Sequence, residues 1–201
     1  MSAIVTGGTS GLGLEIASLL RARGRRVITV SRRETADVAG DASKRETALR
    51  AIEAAGDADL LVNCAGVGIY GPAGSYDDAA IATMIASNLL ATIVFCELLA
   101  PRFKEEGGTI VNVLSTAALT GKPNETVYCA AKWGARGYTE ALRAEAKGTK
   151  LRVISAAPGG MRTPFWPDAR ESFMDPKEVA AVIVDAIDRR VNVAELVITR
   201  T

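Results

Sequence analysis

The 201-residue chain contains no histidine. That absence excludes every mechanism that needs an imidazole base or ligand, including Ser-His-Asp hydrolysis, HExxH metalloproteolysis and Cys-His thiol proteolysis. Proton transfer is left to Tyr, Lys, Cys, Asp or Glu. Cysteine is scarce: Cys64, Cys96 and Cys129 are odd in number and lack C-x-x-C spacing, so neither a secreted disulfide framework nor a zinc pattern is expected. Charge of one sign is not in excess either, with 24 basic and 23 acidic residues giving +1, and neither nucleic-acid binding nor a disordered charged tail is expected. There is no run of about 20 apolar residues for a membrane span. The chain opens Met1-Ser2-Ala3-Ile4-Val5-Thr6 without the charged and apolar regions of a signal peptide. These readings predict a cytoplasmic protein in a reducing compartment, without membrane contact.

What is present is 48% apolar residues in a length that suits one domain of roughly 100–200 residues, so residues 1–201 are expected to form one unit. Short β-branched runs alternate with longer helical patterns, which predicts an α/β fold with a parallel sheet covered by helices on both faces. Seven strands are expected: Ala3–Thr6, Arg26–Ser31, Asp37–Gly40, Leu60–Asn63, Thr109–Ser115, Leu151–Ala156 and Glu195–Thr199. Apolar residues at steps of three and four predict helices over Leu12–Arg23, Ser43–Ala55, Asp77–Glu106, Thr126–Lys147 and Pro176–Arg190. In Asp77–Glu106, Ser87-Asn88 is expected to interrupt the helix and Pro101 to kink or shorten its last turns. The third strand follows the second after Arg32–Ala36 alone, which leaves no room for a crossover helix.

At the first strand-to-helix junction stands Thr6-Gly7-Gly8-Thr9-Ser10-Gly11-Leu12-Gly13. Glycines allow the turn positive φ angles and a close approach to a ligand, and the helix that starts near Gly11 aims free N–H groups at a pyrophosphate. The next strand ends Val30-Ser31-Arg32-Arg33, with no acid before Glu34. An acid there would bind a ribose 2′-hydroxyl, whereas arginine binds a 2′-phosphate, so NADPH is favoured and NADH is the alternative; a solvated basic turn is the simpler reading. Farther on, Tyr128-Cys129-Ala130-Ala131-Lys132 sets a phenol and an ammonium on one helix face. The ammonium is expected to lower the phenol's pKa from about 10 toward a useful range.

The spacing T-G-x-x-x-G-x-G, the segment Asn63-Cys64-Ala65-Gly66, Ser115 thirteen residues before Tyr128, and Ala157-Pro158-Gly159-Gly160-Met161-Arg162-Thr163 together resemble the short-chain dehydrogenase/reductase family. The likeness runs from Thr6 to the last strand and implies a doubly wound, Rossmann-type sheet. It implies hydride transfer between NADP(H), or NAD(H), and a carbonyl or secondary alcohol. Tyr128 would be the acid or base and Ser115 would orient the oxygen. Lys132 would tune Tyr128 and hold ribose hydroxyls, and Asn88 would support a water linked to Lys132. Gly7, Thr9, Ser10, Gly11, Leu12, Gly13, Ser31, Arg32 and Arg33 would hold the cofactor's phosphates and adenosine ribose, with Asn63, Ala65 and Gly66 beside the ribose. Asp41 and Ala42 would meet the adenine, although Asp41 serves equally as a helix N-cap. Pro158, Gly159, Met161 and Thr163 would hold the nicotinamide carboxamide. No metal is implied.

The chain is shorter than the family's usual members, at Arg32–Ala36, at 164–175 and at the C-terminus. The second of these forms the lid in the family. Phe165, Trp166, Phe173 and Met174 are its apolar candidates, and with Ile69, Tyr70 and Leu119 they predict a small, open, apolar substrate pocket. A homodimer through Asn88–Phe103 and Thr126–Ala146 is expected. The alternative function is a cofactor-binding regulatory or scaffold protein with little turnover.

Overall fold

The computed structural model describes residues 1–166 and 171–201. Seven strands form one parallel sheet in the order β3-β2-β1-β4-β5-β6-β7. They are β1 (Ser2–Thr6), β2 (Arg26–Ser31), β3 (Val38–Ala39), β4 (Ala58–Asn63), β5 (Gly108–Val113), β6 (Leu151–Pro158) and β7 (Glu195–Ile198). The α-helices are α1 (Gly11–Ala22), α2 (Arg45–Ala55), α3 (Asp78–Ile85), α4 (Ala91–Glu106), α5 (Thr126–Glu145) and α6 (Pro176–Asp188). Chain order reverses between β1 and β4, and the cleft that opens beyond the carboxyl ends of these two strands is where ligands bind in such sheets.

Alternation along each strand builds two cores. Ala3, Val5, Val62, Val111 and Ile154 face α1 and α6, against Ile16, Leu20, Val179 and Ile183. Ile4, Ile28, Leu61, Ile110 and Val153 face the other way, against α2 and the Phe95, Leu99 and Phe103 stripe of α4. Both faces of the central strands are thereby covered, which explains their unbroken apolar runs. The start of α6 follows from its sequence: Asp175 accepts the Lys177 N–H at 2.8 Å and Pro176 takes the first turn, where its missing donor costs nothing.

The β2-to-β3 connection contains no helix. Asp37 holds it instead: its carboxylate accepts the Thr29 N–H at 2.8 Å, the Thr29 hydroxyl at 2.6 Å and Arg21 at 3.0 Å. Burial alone would raise the Asp37 pKa, but the Thr29 bonds and the Arg21 charge outweigh it and hold the carboxyl below its ordinary value.

The long helical stretch departs from expectation in three ways. Ser87-Asn88 lies in a π-helical turn, Ala86–Leu90, that joins α3 to α4 without a break. Pro101 does not end α4, which runs on to Glu106; Pro101 and Glu97, the residue one turn before it, are both exposed, so water can satisfy the carbonyl the proline leaves free. The expectation of no membrane-length apolar segment also needs correction. Asp78–Glu106 is continuous and, by length and composition only, apolar enough to cross a membrane, with a third of its most apolar window buried in the fold.

Candidate functional site

The turn from β1 into α1 is shaped by close backbone packing. A Cβ at Gly7 (φ +69°) would lie 2.8 Å from the Cys64 carbonyl oxygen, and one at Gly13 only 2.4 Å from that of Gly7. Thr6 ties this turn to the end of β4, its Oγ1 accepting the N–H groups of Cys64 and Ala65 at 3.0 and 3.1 Å. Ser10 caps α1 without a side-chain hydrogen bond. The helix's first backbone bond is Leu14 N–H to the Ser10 carbonyl, 3.2 Å, so the N–H groups of Gly11, Leu12 and Gly13 have no partner within the helix. That end fits a pyrophosphate, both in its partial positive charge and in the room its glycines leave.

Two hollows open from this turn. The larger, about 350 Å³, is lined by Gly7, Ser10, Gly11, Leu12, Gly13, Ser115, Tyr128, Lys132, Pro158, Gly159, Met161 and Thr163, with Phe165 and Trp166 also on its wall. The smaller, about 190 Å³, is lined by Thr9, Ser31, Arg32, Asp41, Ala42 and Ala65. Gly7, Ser10, Arg33 and Gly66 line both, so the two are continuous. Arg33 donates to the Thr9 carbonyl at 3.2 Å, and Thr9 donates to Ser31 Oγ at 2.8 Å. Arg33 is therefore tied to the glycine turn, and Arg32 lines the smaller hollow. Asp41 Oδ1 accepts the Ser43 N–H at 2.9 Å; it caps a turn ahead of α2, whose own N-cap is Lys44, and still borders the smaller hollow.

Ser115, at the end of β5, accepts the Ala117 N–H at 3.1 Å, which leaves its O–H free to donate. Tyr128 and Lys132 share the buried face of α5. Lys132 Nζ donates to the Val113 carbonyl at 3.1 Å and lies 5.8 Å from the centre of the Tyr128 ring. The expected lowering of the phenol's pKa is not found. Burial pushes the Tyr128 phenol up; the Ser115 hydroxyl acts against this, and Glu125 adds to it. Burial also brings Lys132 down to about 8. For both groups the desolvation of the charged form is the largest influence.

Asn88 and Asn63 do not line either hollow. The Asn88 Nδ2 donates to the Val67 carbonyl at 2.8 Å and back to that of Met84 at 3.0 Å, while Oδ1 is buried without a partner among the described residues. A Cβ on Gly66 would lie 2.7 Å from that Oδ1 and 3.8 Å from Lys132 Nζ, so Asn88 and Lys132 face one small gap beneath Gly66. Asn63 turns into the core, donating to Asn112 Oδ1 at 2.9 Å and to Cys96 Sγ at 3.3 Å. Its expected place beside a ribose is corrected: its side chain joins β4 to β5. Asn112 continues the chain to Thr139 on α5 at 2.9 Å, and a polar residue in the middle of an apolar strand is the signal that sequence reading passed over. Cys64, on the cleft wall, has its thiol pushed up to about 11 by burial.

The lid is described in part, residues 167–170 lying outside the described residues. Phe165 and Trp166 face the cleft, and Trp166 meets Phe173 edge-on at 5.7 Å. Arg162 donates to the carbonyls of Glu171 and Phe173 at 3.2 and 2.5 Å, which draws the far side of the lid back toward β6. Ile69, Tyr70 and Leu119 are not on the cleft wall: Ile69 is 37% exposed, Tyr70 stacks on Trp166 without lining either hollow, and Leu119 packs with Leu114, Ala118 and Ala157.

A family model described as short chain dehydrogenase matches residues 34–173. Ketoacyl reductase HetN from Nostoc sp. is 31% identical over 93% of this chain and 75% of its own length. Among solved structures, a short chain dehydrogenase from Burkholderia cenocepacia in complex with NADP superposes with a TM-score of 0.89 at 28% identity, covering 98% of this chain and 87% of that one. The 3-ketoacyl-(acyl-carrier-protein) reductase from Brucella melitensis, complexed with NADH, also gives 0.89, at 25% identity over 98% and 96%.

Proposed function

The chain belongs to the short-chain dehydrogenase/reductase family of oxidoreductases, and from that premise we propose that it interconverts a carbonyl and a secondary alcohol with NADP(H). The observation that carries the proposal is the convergence of Ser115, Tyr128 and Lys132 on one cleft that is continuous with the glycine turn and Arg33. The cofactor supplies or accepts the hydride. The N–H groups of Gly11, Leu12 and Gly13 suit its pyrophosphate and Arg33, with Arg32, its 2′-phosphate; Thr163, Pro158, Gly159 and Met161 border the nicotinamide end.

The protein's own part is proton transfer. Burial keeps Tyr128 a protonated phenol at neutral pH, the form required to give a proton to a carbonyl oxygen as carbon is reduced. Ser115, whose oxygen already accepts from Ala117, donates its O–H to the same substrate oxygen and fixes its position. Lys132 has three protons and commits one to Val113. The others serve the cofactor's ribose hydroxyls and a water held against Asn88 Oδ1, through which Tyr128 is reprotonated.

We read residues 1–201 as one catalytic domain that acts on small molecules in the cytoplasm, without nucleic-acid or membrane partners. A homodimer through α4 and α5 would cover Leu90 and Trp133, which are 43% and 48% exposed. The test is NADPH oxidation against a panel of ketones and aldehydes, with NADH in parallel. Consumption that requires a carbonyl and prefers NADPH is expected. Tight cofactor binding with no turnover across the panel would overturn this reading and favour a regulatory or scaffold protein.

A further inference from the structure

Arg32 and Arg33 ride on the connection 32–36, which is mostly exposed and carries no helix. The strand it leads into has two residues, Val38 and Ala39, paired only to Val30 and Ser31. Strands ordinarily have more, so the order of this connection needs another source. Long side chains that are loose before a ligand arrives lower its affinity by the entropy lost when they are fixed.

Asp37 is that source. Its Oδ2 alone accepts the Thr29 N–H, the Thr29 hydroxyl and Arg21, and the Asp37 N–H returns a bond to Thr29 Oγ1 at 3.1 Å. Thr29 is buried and, being β-branched, stiff about its first side-chain bond. Its methyl is thereby held beneath the glycine turn, where a Cβ on Gly8 would lie 2.7 Å from it. At the other end of the connection, Ser31 Oγ accepts the Arg33 N–H at 3.1 Å and the Thr9 hydroxyl at 2.8 Å. The two arginines are thus bracketed: Ser31 and Thr9 fasten the chain to the turn before them, and Asp37 and Thr29 do so after them. Neither Asp37 nor Thr29 lines either hollow, whereas both arginines do.

We propose that Asp37 is a positioning residue for cofactor choice: through Thr29 it holds the shortened connection so that Arg32 and Arg33 are ordered in advance for a ribose 2′-phosphate. The inference deepens the NADP(H) reading and rests on it. Its sign separates it from an effect of charge. Removing a carboxylate near a phosphate site would, by charge alone, strengthen phosphate binding; loss of a positioning residue weakens it.

The test measures dissociation constants for NADPH and NADH, by the fluorescence of the reduced nicotinamide, on the wild-type, Asp37→Ala and Asp37→Asn proteins. Asp37→Ala is expected to weaken NADPH about tenfold, the effect of having to order two freed arginine side chains on binding, and to leave NADH within about twofold. Asp37→Asn keeps an acceptor oxygen for Thr29 and should stay within about threefold of wild type for NADPH. On a protein carrying both Arg32→Ala and Arg33→Ala, adding Asp37→Ala should change NADPH affinity by less than about twofold, because nothing is left to position. If Asp37→Ala does not fold, Thr29→Val, which keeps the methyl and removes the hydroxyl, must show the same selective loss of NADPH. Equal losses for the two cofactors, an NADPH affinity unchanged or raised by Asp37→Ala, or an undiminished effect on the doubly substituted background would overturn the role of Asp37. A preference for NADPH that falls with Arg33→Ala but not with Asp37→Ala would overturn Asp37 alone, whereas a wild-type protein that binds NADH as tightly as NADPH would contradict the NADP(H) reading itself.

Discussion

The two ends of the cleft are built from different materials. At the glycine turn the wall is backbone: free N–H groups at the start of α1, glycines packed to within contact of neighbouring carbonyls, and strand ends joined by Thr6. Around Tyr128 the wall is side chain, with Phe165 and Trp166 facing the cleft and Tyr70, on a separate loop, holding them by ring contacts. A backbone wall recognises what every dinucleotide shares and tolerates little change. A wall of loop side chains can be altered residue by residue, and under the proposed function that is where substrate choice would reside.

This difference sets the expected scale of each perturbation. Tyr128→Phe removes the phenolic proton proposed for the reacting oxygen and is expected to lower kcat about 10²- to 10⁴-fold while cofactor affinity stays within a few-fold. Gly13→Ala places a Cβ against the Gly7 carbonyl; cofactor binding should be lost and stability should fall by about 1–3 kcal/mol in denaturant titration. Arg33→Ala should weaken NADPH about 10- to 100-fold, the effect of losing a charged hydrogen bond, with NADH affinity little changed. Equal losses for the two cofactors would remove the phosphate role. Trp166→Ala should raise KM for a ketone several-fold and spare cofactor affinity, since a stacked ring pair contributes about 0.5–1.5 kcal/mol. A parallel loss of cofactor affinity would erase the distinction between the two ends.

The smallest effect is in the pH dependence of stability. Lys132 is held near about 8 in the folded chain against 10.5 ordinarily, so between those values the unfolded state binds more protons, and raising the pH stabilises the fold through this group. The wild-type protein should therefore gain on Lys132→Met as pH rises from about 8 toward 10.5, with the difference flat below that window. A difference that stays flat or falls as pH rises through that window would contradict the burial of its ammonium.

The cofactor end was legible because backbone geometry constrains residue type: Gly7, Gly11 and Gly13 are needed where φ is positive or a Cβ would collide, and their spacing is visible in one dimension. The seven strands were legible from their apolar runs and alternation with helices; Asn88, Ser115, Tyr128 and Lys132 were singled out by the family resemblance, and of these Ser115, Tyr128 and Lys132 line one cleft. The electrostatics of Tyr128 were not, because desolvation depends on everything packed around a group and not on its helical neighbour. Asn63 was misplaced because a residue at a strand end can turn to either side, and only Asn112 and Cys96 decide which. Ile69 and Leu119 looked like wall residues from their neighbours in sequence, whereas the wall is chosen by which loops meet in space. The π-helical turn that swings Asn88 inward left no sign beyond the polar pair Ser87-Asn88.

The central claim is that one cleft binds the cofactor through backbone and performs chemistry through Tyr128. Its most direct test is a single pair of measurements on Tyr128→Phe: the Kd for NADPH and the rate of ketone-dependent NADPH oxidation. The account predicts a Kd within a few-fold of wild type and a rate lowered at least about 10²-fold. A rate equal to wild type would contradict it.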